Sequence, residues 1–442
     1  MPDRLIARPL SGRADPLTVF RMLEATAREV FWLDAGADAA EGWSFVGTGE
    51  ISALPEGVRI DAPHPHPHPE TGAPPFTGGW IGWADYESGA HAAGAPIAGR
   101  LDDRPSWMRA TRVVAVDHAR QQTWALAASG DIDDWTAILG TAPRSAPAPA
   151  PVDATAGAPT AHARHTPSEY AALIQDCREL IRAGIAYQLC LTTRFTVPGR
   201  HDAVAAYLRL RADTPAHHGG FIRIGDRALL SASPEQFLHA EGGVIRTRPI
   251  KGTRARGQTP AQDAALAAEL AVDAKERAEN VMIVDLMRND LSRVCVPGSI
   301  RVEGLWVVES YPAVHQLVST VSGTAASGTT VGALLSAAFP AGSMTGAPKL
   351  SAMTRLHAIE DGPRGIYAGC FGYIGVDGVL DLAMVIRSIV VEPHEAVVGA
   401  GGGITWGSVP AAEVAEVATK ARAPLAALGA VLPVLWGSDI LN

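Results

Sequence analysis

The chain is poor in cysteine. Its four, Cys177, Cys190, Cys295 and Cys370, stand far apart with no C-x-x-C pair. That spacing offers neither a zinc site nor a disulfide framework, so reduced thiols are the expectation. Positive charge is also in deficit: the formal net charge is −9, which argues against a nucleic-acid binder, since such domains carry a basic face. Long apolar runs are missing. The stretch 423–436 is short and holds two prolines, too little to cross a bilayer, and the start "MPDRLIARPL" lacks the apolar core of a signal peptide. The expectation is a soluble cytoplasmic protein with no membrane and no nucleic-acid partner.

What is present supports a large interior. Apolar residues make up 47% of the 442, and the length predicts roughly 2–3 domains. Residues 141–165 are rich in Pro and Ala with few large apolar side chains, the composition of an extended linker. They separate a region 1–140 from a larger region 166–428, which a tail, 429–442, follows. No internal repeat is visible. The three histidines of "PHPHPHP", 63–69, alternate with prolines, which favours an extended loop over a metal site.

Local signals predict a mixed α/β chain. Residues 17–29 read as an amphipathic helix and 113–129 as a hairpin. Thr166, Pro167 and Glu169 form a helix start, and Gly184 a stop. "YQLCLTTRFTV" reads as a strand, with further strands over 220–232, 236–248, 366–376, 380–391 and 396–405. Helices are expected over 261–292, 331–338, 347–360 and 410–428.

Two Glu-x-x-Glu pairs, Glu276/Glu279 and Glu413/Glu416, fall on predicted helices, where each pair shares a face. Asp273 and Arg277 are spaced for an ordinary i,i+4 salt bridge, as are Glu416 and Lys420. Glu276 and Glu279 have no cation at i+4 and border the apolar run "VMIVDLM". Two such pairs together could meet a hard cation such as Mg²⁺, which takes oxygen ligands; singly, each is commonly a solvated face. The clusters "GAGGGI", 399–404, and "GSMTGAPK", 342–349, are turn-like and suited to anions, without a G-x-G-x-x-G or Walker pattern.

The stretch "RPIKGTRARG", 248–257, places Lys251 between an apolar Pro-Ile pair and a Gly-Thr turn. Burial or neighbouring cations such as Arg254 and Arg256 would lower its pKa and free the amine as a nucleophile. Arginines paired with acids would leave it an ordinary lysine. Spacing alone does not decide between the two.

Residues 166–425 resemble the catalytic domain of the chorismate-utilising enzymes, a family that includes anthranilate synthase component I, aminodeoxychorismate synthase component I and the isochorismate and salicylate synthases. The stretches that carry the likeness are "SASPEQFL", "RPIKGTRARG", "KERAENVMIVDLMRNDLSRV", "YPAVHQLVSTVSG", "FPAGSMTGAPK", "YAGCFGYIG", "VIRS" and "GAGGGITWGSVPAAEVAEVATKA". "FWLDAG", "SFVGTGE" and "FTGGWIGWADYESG" resemble the amino-terminal region of the first two enzymes. The resemblance implies an α/β (α+β) sandwich with antiparallel sheets in the core and flanking helices, the N-terminal part being interleaved with the catalytic part.

For the site, the resemblance implies that Glu279 and Glu416 hold Mg²⁺, supported by Glu276 and Glu413, and that the metal grips the ring carboxylate of chorismate. Tyr367, Arg387, Lys420, Gly252, Thr253 and Thr345, with the backbone of Gly401, Gly402 and Gly403, would position the substrate. Glu235 would be the general acid, with His315 assisting departure of the C4 hydroxyl.

Two positions sort the subfamilies. Gln188 stands where water-adding members carry a lysine base, and Lys251 where anthranilate synthases carry alanine. Together they imply aminodeoxychorismate synthase component I, in which Lys251 attacks ring C2 and ammonia then enters at C4, yielding the precursor of p-aminobenzoate. No glutaminase segment is recognisable, so ammonia is expected from a separate glutamine amidotransferase subunit. Anthranilate synthase component I is the nearest alternative, and a non-catalytic chorismate-binding regulatory protein a further one. Ile185, Cys190 and Ala341 depart from the residues usual in the family.

Overall fold

A computed structural model describes residues 4–12, 14–37, 39–61, 72–141 and 158–437. The histidine–proline run and most of the Pro/Ala-rich stretch lie outside them. The described strands join into one hydrogen-bonded network of 20 strands. All strand pairs are antiparallel, and the network folds into two facing layers.

One layer runs from Trp43–Ser52 through Val30–Asp34, His218–Ile224, Arg227–Ser233, Ser388–Val391 and Glu395–Ile404 to Gln188–Pro198. The other runs from Gly79–Ala84 through Cys370–Gly375, Leu380–Met384, Gln236–Glu241 and Val244–Thr247 to Val314–Thr324. That last strand also pairs with Ile250–Ala255 and Arg301–Ser310. Strand Trp107–Asp117 joins the layers, pairing along one edge with Trp43–Ser52 and at Trp107–Arg109 with Gly79–Ala84.

Side-chain alternation builds three apolar layers. Phe31, Phe45, Ile222 and Leu229 meet Trp83, Phe371 and Tyr373 between the sheets. The next residues along the same strands, Val30, Trp32 and Phe221, point outward and pack under helices Pro16–Glu24, Pro167–Arg182, Ala203–Asp213 and Pro410–Ala427. Helices Ala274–Ser292 and Val331–Ala338 cover the second sheet through Ile283, Met287 and Leu334. The expected sandwich is present. Val30–Asp34 pairs with Gly219–Arg223, and Gly79–Ala84 with Cys370–Gly375, so strands from before and after the Pro/Ala-rich stretch share both sheets.

The capping box at Thr166 and Glu169 forms as predicted, and Val331–Ala338 matches its predicted range. The helix expected over 261–292 is two, Pro260–Val272 and Ala274–Ser292. Asp273 is extended between them (φ −60°, ψ 114°), and its carboxylate caps the second by accepting from the Glu276 N–H. The Asp273–Arg277 bridge therefore does not form. Asp273 pairs with Arg254 at 2.9 Å, and Arg277 lies over the Trp306 ring. No helix among the described residues is long and apolar enough to cross a membrane.

A buried ion network ties the N-terminal part to the second half of the chain. The Arg364 guanidinium donates to both Glu360 oxygens and to the carbonyls of Met344 and Cys190, and it lies over the Tyr86 ring. Glu87 accepts the backbone N–H groups of Arg364 and Gly365. Removing one partner strands the other charge in the interior. Arg364→Met is expected to cost about 3–5 kcal/mol in urea denaturation; a change within error would show that the network carries little of the stability.

Candidate active site

Lys251 enters a cleft of about 500 Å³ at one end of the sheets. The register of Ile250–Ala255 against Val314–Thr324 shifts at this point, and Gly252 takes φ 84°. A Cβ on Gly252 would press on Leu270 at 2.8 Å and on Glu276 at 3.1 Å. Glycine here lets the strand bulge so that Lys251 points inward. Asn280 pins the neighbouring helix to this strand, donating to the Pro249 carbonyl and accepting from Ser319.

The Lys251 ammonium lies 3.5 Å from Glu279 and is mostly shielded from solvent. Burial pulls its pKa down, but Glu279, with Cys190, Glu235 and Glu416, outweighs burial and raises it. The neighbouring arginines do not act on it as the sequence alone allowed. Arg254 pairs with Glu269 and Asp273, and Arg256 with Asp263. The charge around the amine is acidic.

All four predicted carboxylates line this cleft. Glu276 is 3.6 Å from Arg254, and Glu279 is 3.8 Å from Lys275. On the facing helix, Glu413 accepts from Ser408 at 2.7 Å, and Glu416 pairs with Lys420 at 2.7 Å. Burial, then crowding by Glu279 and Asp273, raises the pKa of Glu276; burial, then Glu416, raises that of Glu413. Burial opposes ionisation of Glu416, yet Lys420 and Lys251 bring its pKa below the ordinary value. A cation would relieve the crowding. Among the described residues no three His, Cys, Asp or Glu side chains converge as a ready-made cage. The carboxylates lining the cleft offer oxygen donors, the type a hard cation such as Mg²⁺ would take.

The glycine cluster 399–404 forms the end of strand Glu395–Ile404, inside the strand expected over 396–405. One edge pairs with Gln188–Pro198, while Ser388–Val391 pairs with the other edge only at Ala396 and Val397. Past that point the second edge is free of partner strands among the described residues, and Gly401, Gly402 and Gly403 line the cleft. The Gly401 carbonyl accepts from Lys420 at 2.8 Å. Gly399 has no room for a side chain, because the Tyr367 ring lies 2.1 Å from where its Cβ would be. Arg387 also lines the cleft, with φ 51°, and its guanidinium forms no hydrogen bond or ion pair among the described residues. It is an open cation in a position to meet an anion.

Glu235 is buried beside this group. Burial pushes its carboxyl up to about 7, against the opposing pull of Lys251 and a hydrogen bond with Ser343. It is thus poised to give up a proton near neutral pH. Thr253 and Tyr367 line the cleft as well.

Three predicted residues, Thr345, His315 and Gln188, do not line it. Thr345 is fully buried behind the wall, donating to the Ala341 carbonyl and accepting the Cys190 N–H on its own carbonyl. His315 faces the other side of its strand, 2.9 Å from Asp263 and 2.8 Å from Ser310. Strand alternation sends its neighbour Gln316 to the cleft instead. Gln188 sits immediately behind Gly403, and both polar atoms of its amide are buried without partners. The cleft also takes in Cys190 and Ser343, which the sequence reading did not place there. The "GSMT" turn was the available signal for Ser343.

A larger opening of about 670 Å³ lies behind Tyr367. Its charges are largely spent on one another: Arg104 pairs with Asp102 and Glu392, Arg227 with Asp102, and Arg194 with Glu395. The acidic, glycine-lined cleft around Lys251 is the better candidate for chemistry.

Residues 29–426 match the family of chorismate binding enzymes, and the chain belongs to that family. Its relatives include an aminodeoxychorismate synthase of Streptomyces pristinaespiralis, 43% identical over 81% of this chain and 52% of that protein. A second, from Streptomyces griseus, is 35% identical over 97% and 65%. The chain thus spans between half and two thirds of the length of these two relatives. An anthranilate synthase component 1 of Streptomyces coelicolor is 40% identical over 81% of this chain and 74% of its own. Among solved structures, anthranilate synthase component I from Streptococcus pneumoniae is similar, with a TM-score of 0.71 and 26% identity over 96% of this chain and 92% of that one.

Gly403 supplies a test of the geometry. A Cβ there would meet the Gln188 amide at 2.7 Å and Lys251 Nζ at 3.0 Å. Gly403→Ala is expected to displace the lysine and, under the function proposed below, to lower turnover of chorismate by ~10²-fold, the scale of an ångström's misplacement, with an unchanged thermal midpoint. Retained turnover would mean that the position of the amine is not critical.

Proposed function

We propose that the protein is the chorismate-aminating component of an aminodeoxychorismate synthase. The observation that carries this reading is Lys251, an amine inside an acidic, glycine-lined cleft with a buried acid, Glu235, beside it. The uncharged amide of Gln188 next to it offers no base to activate water.

In this reading the ring carboxylate of chorismate enters between the two acidic helices. Glu279 and Glu416 would hold Mg²⁺, with Glu276 and Glu413 supporting them, and the ion would supply the positive charge that the ring carboxylate requires there. Arg387 and the free edge of Gly401–Gly403 hold the remaining anionic group. Lys251, whose pKa the surrounding acids raise, first passes a proton to Glu235; the freed amine attacks ring C2 as Glu235 hands that proton to the C4 hydroxyl. The C4–O bond breaks, and water leaves. Ammonia then bonds to C4, the double bonds shift back, and the C2–N bond breaks to return the lysine. The net change exchanges hydroxyl for amine with loss of one water, through two easier steps in place of one hard one. Ammonia comes from a separate glutamine amidotransferase, and the setting is the cytoplasm.

A second reading, anthranilate synthase component I, is favoured by the relatives of that name. Incubation with chorismate, Mg²⁺ and an ammonium salt separates the two. The expected outcome is no fluorescent anthranilate, p-aminobenzoate only when a pyruvate-releasing lyase is added, and, without ammonia, a mass adduct on Lys251. Direct anthranilate release, or an adduct mapping to another residue, overturns the proposal.

The raised pKa of Glu235 sets the pH dependence. Its protonated form, the one that can act as acid, is present below about 7 and lost above it. At constant free ammonia, kcat/KM for chorismate is therefore expected to fall as pH rises through about 7. Glu235→Gln should lose most of the activity together with that limb. A flat profile through this range would remove Glu235 from the role.

A further inference from the structure

We infer that Gln316 is the side chain that receives and orients the incoming ammonia, an assignment that rests on the amination reading above. Gln316 lies in strand Val314–Thr324, directly opposite Thr253 on the strand that carries Lys251. Both residues of the pair line the cleft. Gln316 is 5% exposed, and its Oε1 is buried with no hydrogen-bond partner.

A buried amide oxygen without a donor costs ~1–3 kcal/mol. Such a vacancy in a cleft marks a place for a ligand's donor. The chemistry of the atom narrows that ligand. A carbonyl oxygen accepts N–H or O–H hydrogens through its lone pairs and carries no charge. Ammonia reacts through its lone pair, which protonation abolishes. A carboxylate in this place would favour ammonium, and an ionisable base would make delivery depend on pH. A neutral acceptor takes one N–H and leaves the lone pair free to face the ring.

Gln188 gives the site a second neutral amide, also buried and unpartnered on both polar atoms. Its Nε2 and the Lys251 Nζ crowd the same point beside Gly403. Gln316 in the cleft wall and Gln188 behind Gly403 are thus two uncharged amides with unfilled hydrogen-bonding capacity around a cleft otherwise rich in charge. Ammonia, small and neutral, matches that vacancy better than a carboxylate of the substrate does, since a carboxylate has no hydrogen to donate to Oε1.

The test uses the full chain with chorismate saturating and ammonium chloride varied at fixed pH. Gln316→Leu keeps the bulk and removes the acceptor. The expected result is a fall of about 10-fold in kcat/KM for ammonia, the scale of one neutral hydrogen bond. The rate of Lys251 adduct formation without ammonia, followed by intact mass, should stay within about twofold. Gln316→Glu, which would hold ammonium instead, should also lose ammonia-dependent rate, whereas Gln316→Asn retains a neutral acceptor oxygen and should keep more of it than the leucine variant. Gln316→Met serves in place of leucine if the latter melts early.

An unchanged kcat/KM for ammonia overturns the assignment. So does a loss of adduct formation as large as the loss in ammonia use, which a merely structural role would give. If the unsubstituted protein releases anthranilate, the C4 reading fails, but the ammonia kinetics of the variants still decide the place of Gln316. Absence of turnover at any ammonia concentration overturns both.

Discussion

The cleft is organised around one electrostatic constraint: an amine must sit among carboxylates without being neutralised into an ordinary salt bridge. Lys251 stands 3.5 Å from Glu279, near enough for a strong pull and longer than a tight hydrogen-bonded pair. The other acids are occupied in their own ways, Glu413 by a hydroxyl and Glu416 by Lys420. The surrounding elements keep these charges in register. Asp273 breaks and caps the helix so that Glu276 and Glu279 face inward, Asn280 fixes that helix to the lysine strand, and Gly252 gives the strand its bulge.

Behind the cleft, Arg364 performs the same service for the backbone. Its two carbonyl acceptors belong to Met344 and Cys190, both in the cleft wall, and its carboxylate partner Glu360 also binds Thr192 on the strand that carries Cys190. One buried guanidinium thereby joins a turn, a helix end and a strand, while Glu87 adds the N-terminal part to the same unit. The inner surface of the site is a shared product of segments far apart in sequence.

Much of this could be read from the chain, and the failures have physical causes. The capped helix at Thr166 and the two Glu-x-x-Glu faces follow from local patterns, and they stand where expected. Val30–Asp34 gave no strand signal because it is buried on both faces, so no polar–apolar alternation marks it. The break at Asp273 was hidden because an aspartate that ends one helix and caps the next interrupts no apolar periodicity. Lys251 could be placed only by the family resemblance, since nothing local tells whether Arg254 and Arg256 turn toward it or toward acids. His315 and Gln316 are adjacent, and only the strand register decides which of the two faces the cleft.

The interleaved sheets bear on how the chain reaches its folded form. Strand Val30–Asp34 emerges early in synthesis, yet its neighbour His218–Ile224 appears only after the whole intervening segment, and Gly79–Ala84 waits longer still for Cys370–Gly375. Pairings so distant carry a large loop-closure cost and form slowly. Until they form, apolar strands such as "VFWLD" remain unshielded, a state prone to self-association. Neither half completes both sheets by itself, and the cleft draws its walls from segments spread between Cys190 and Lys420.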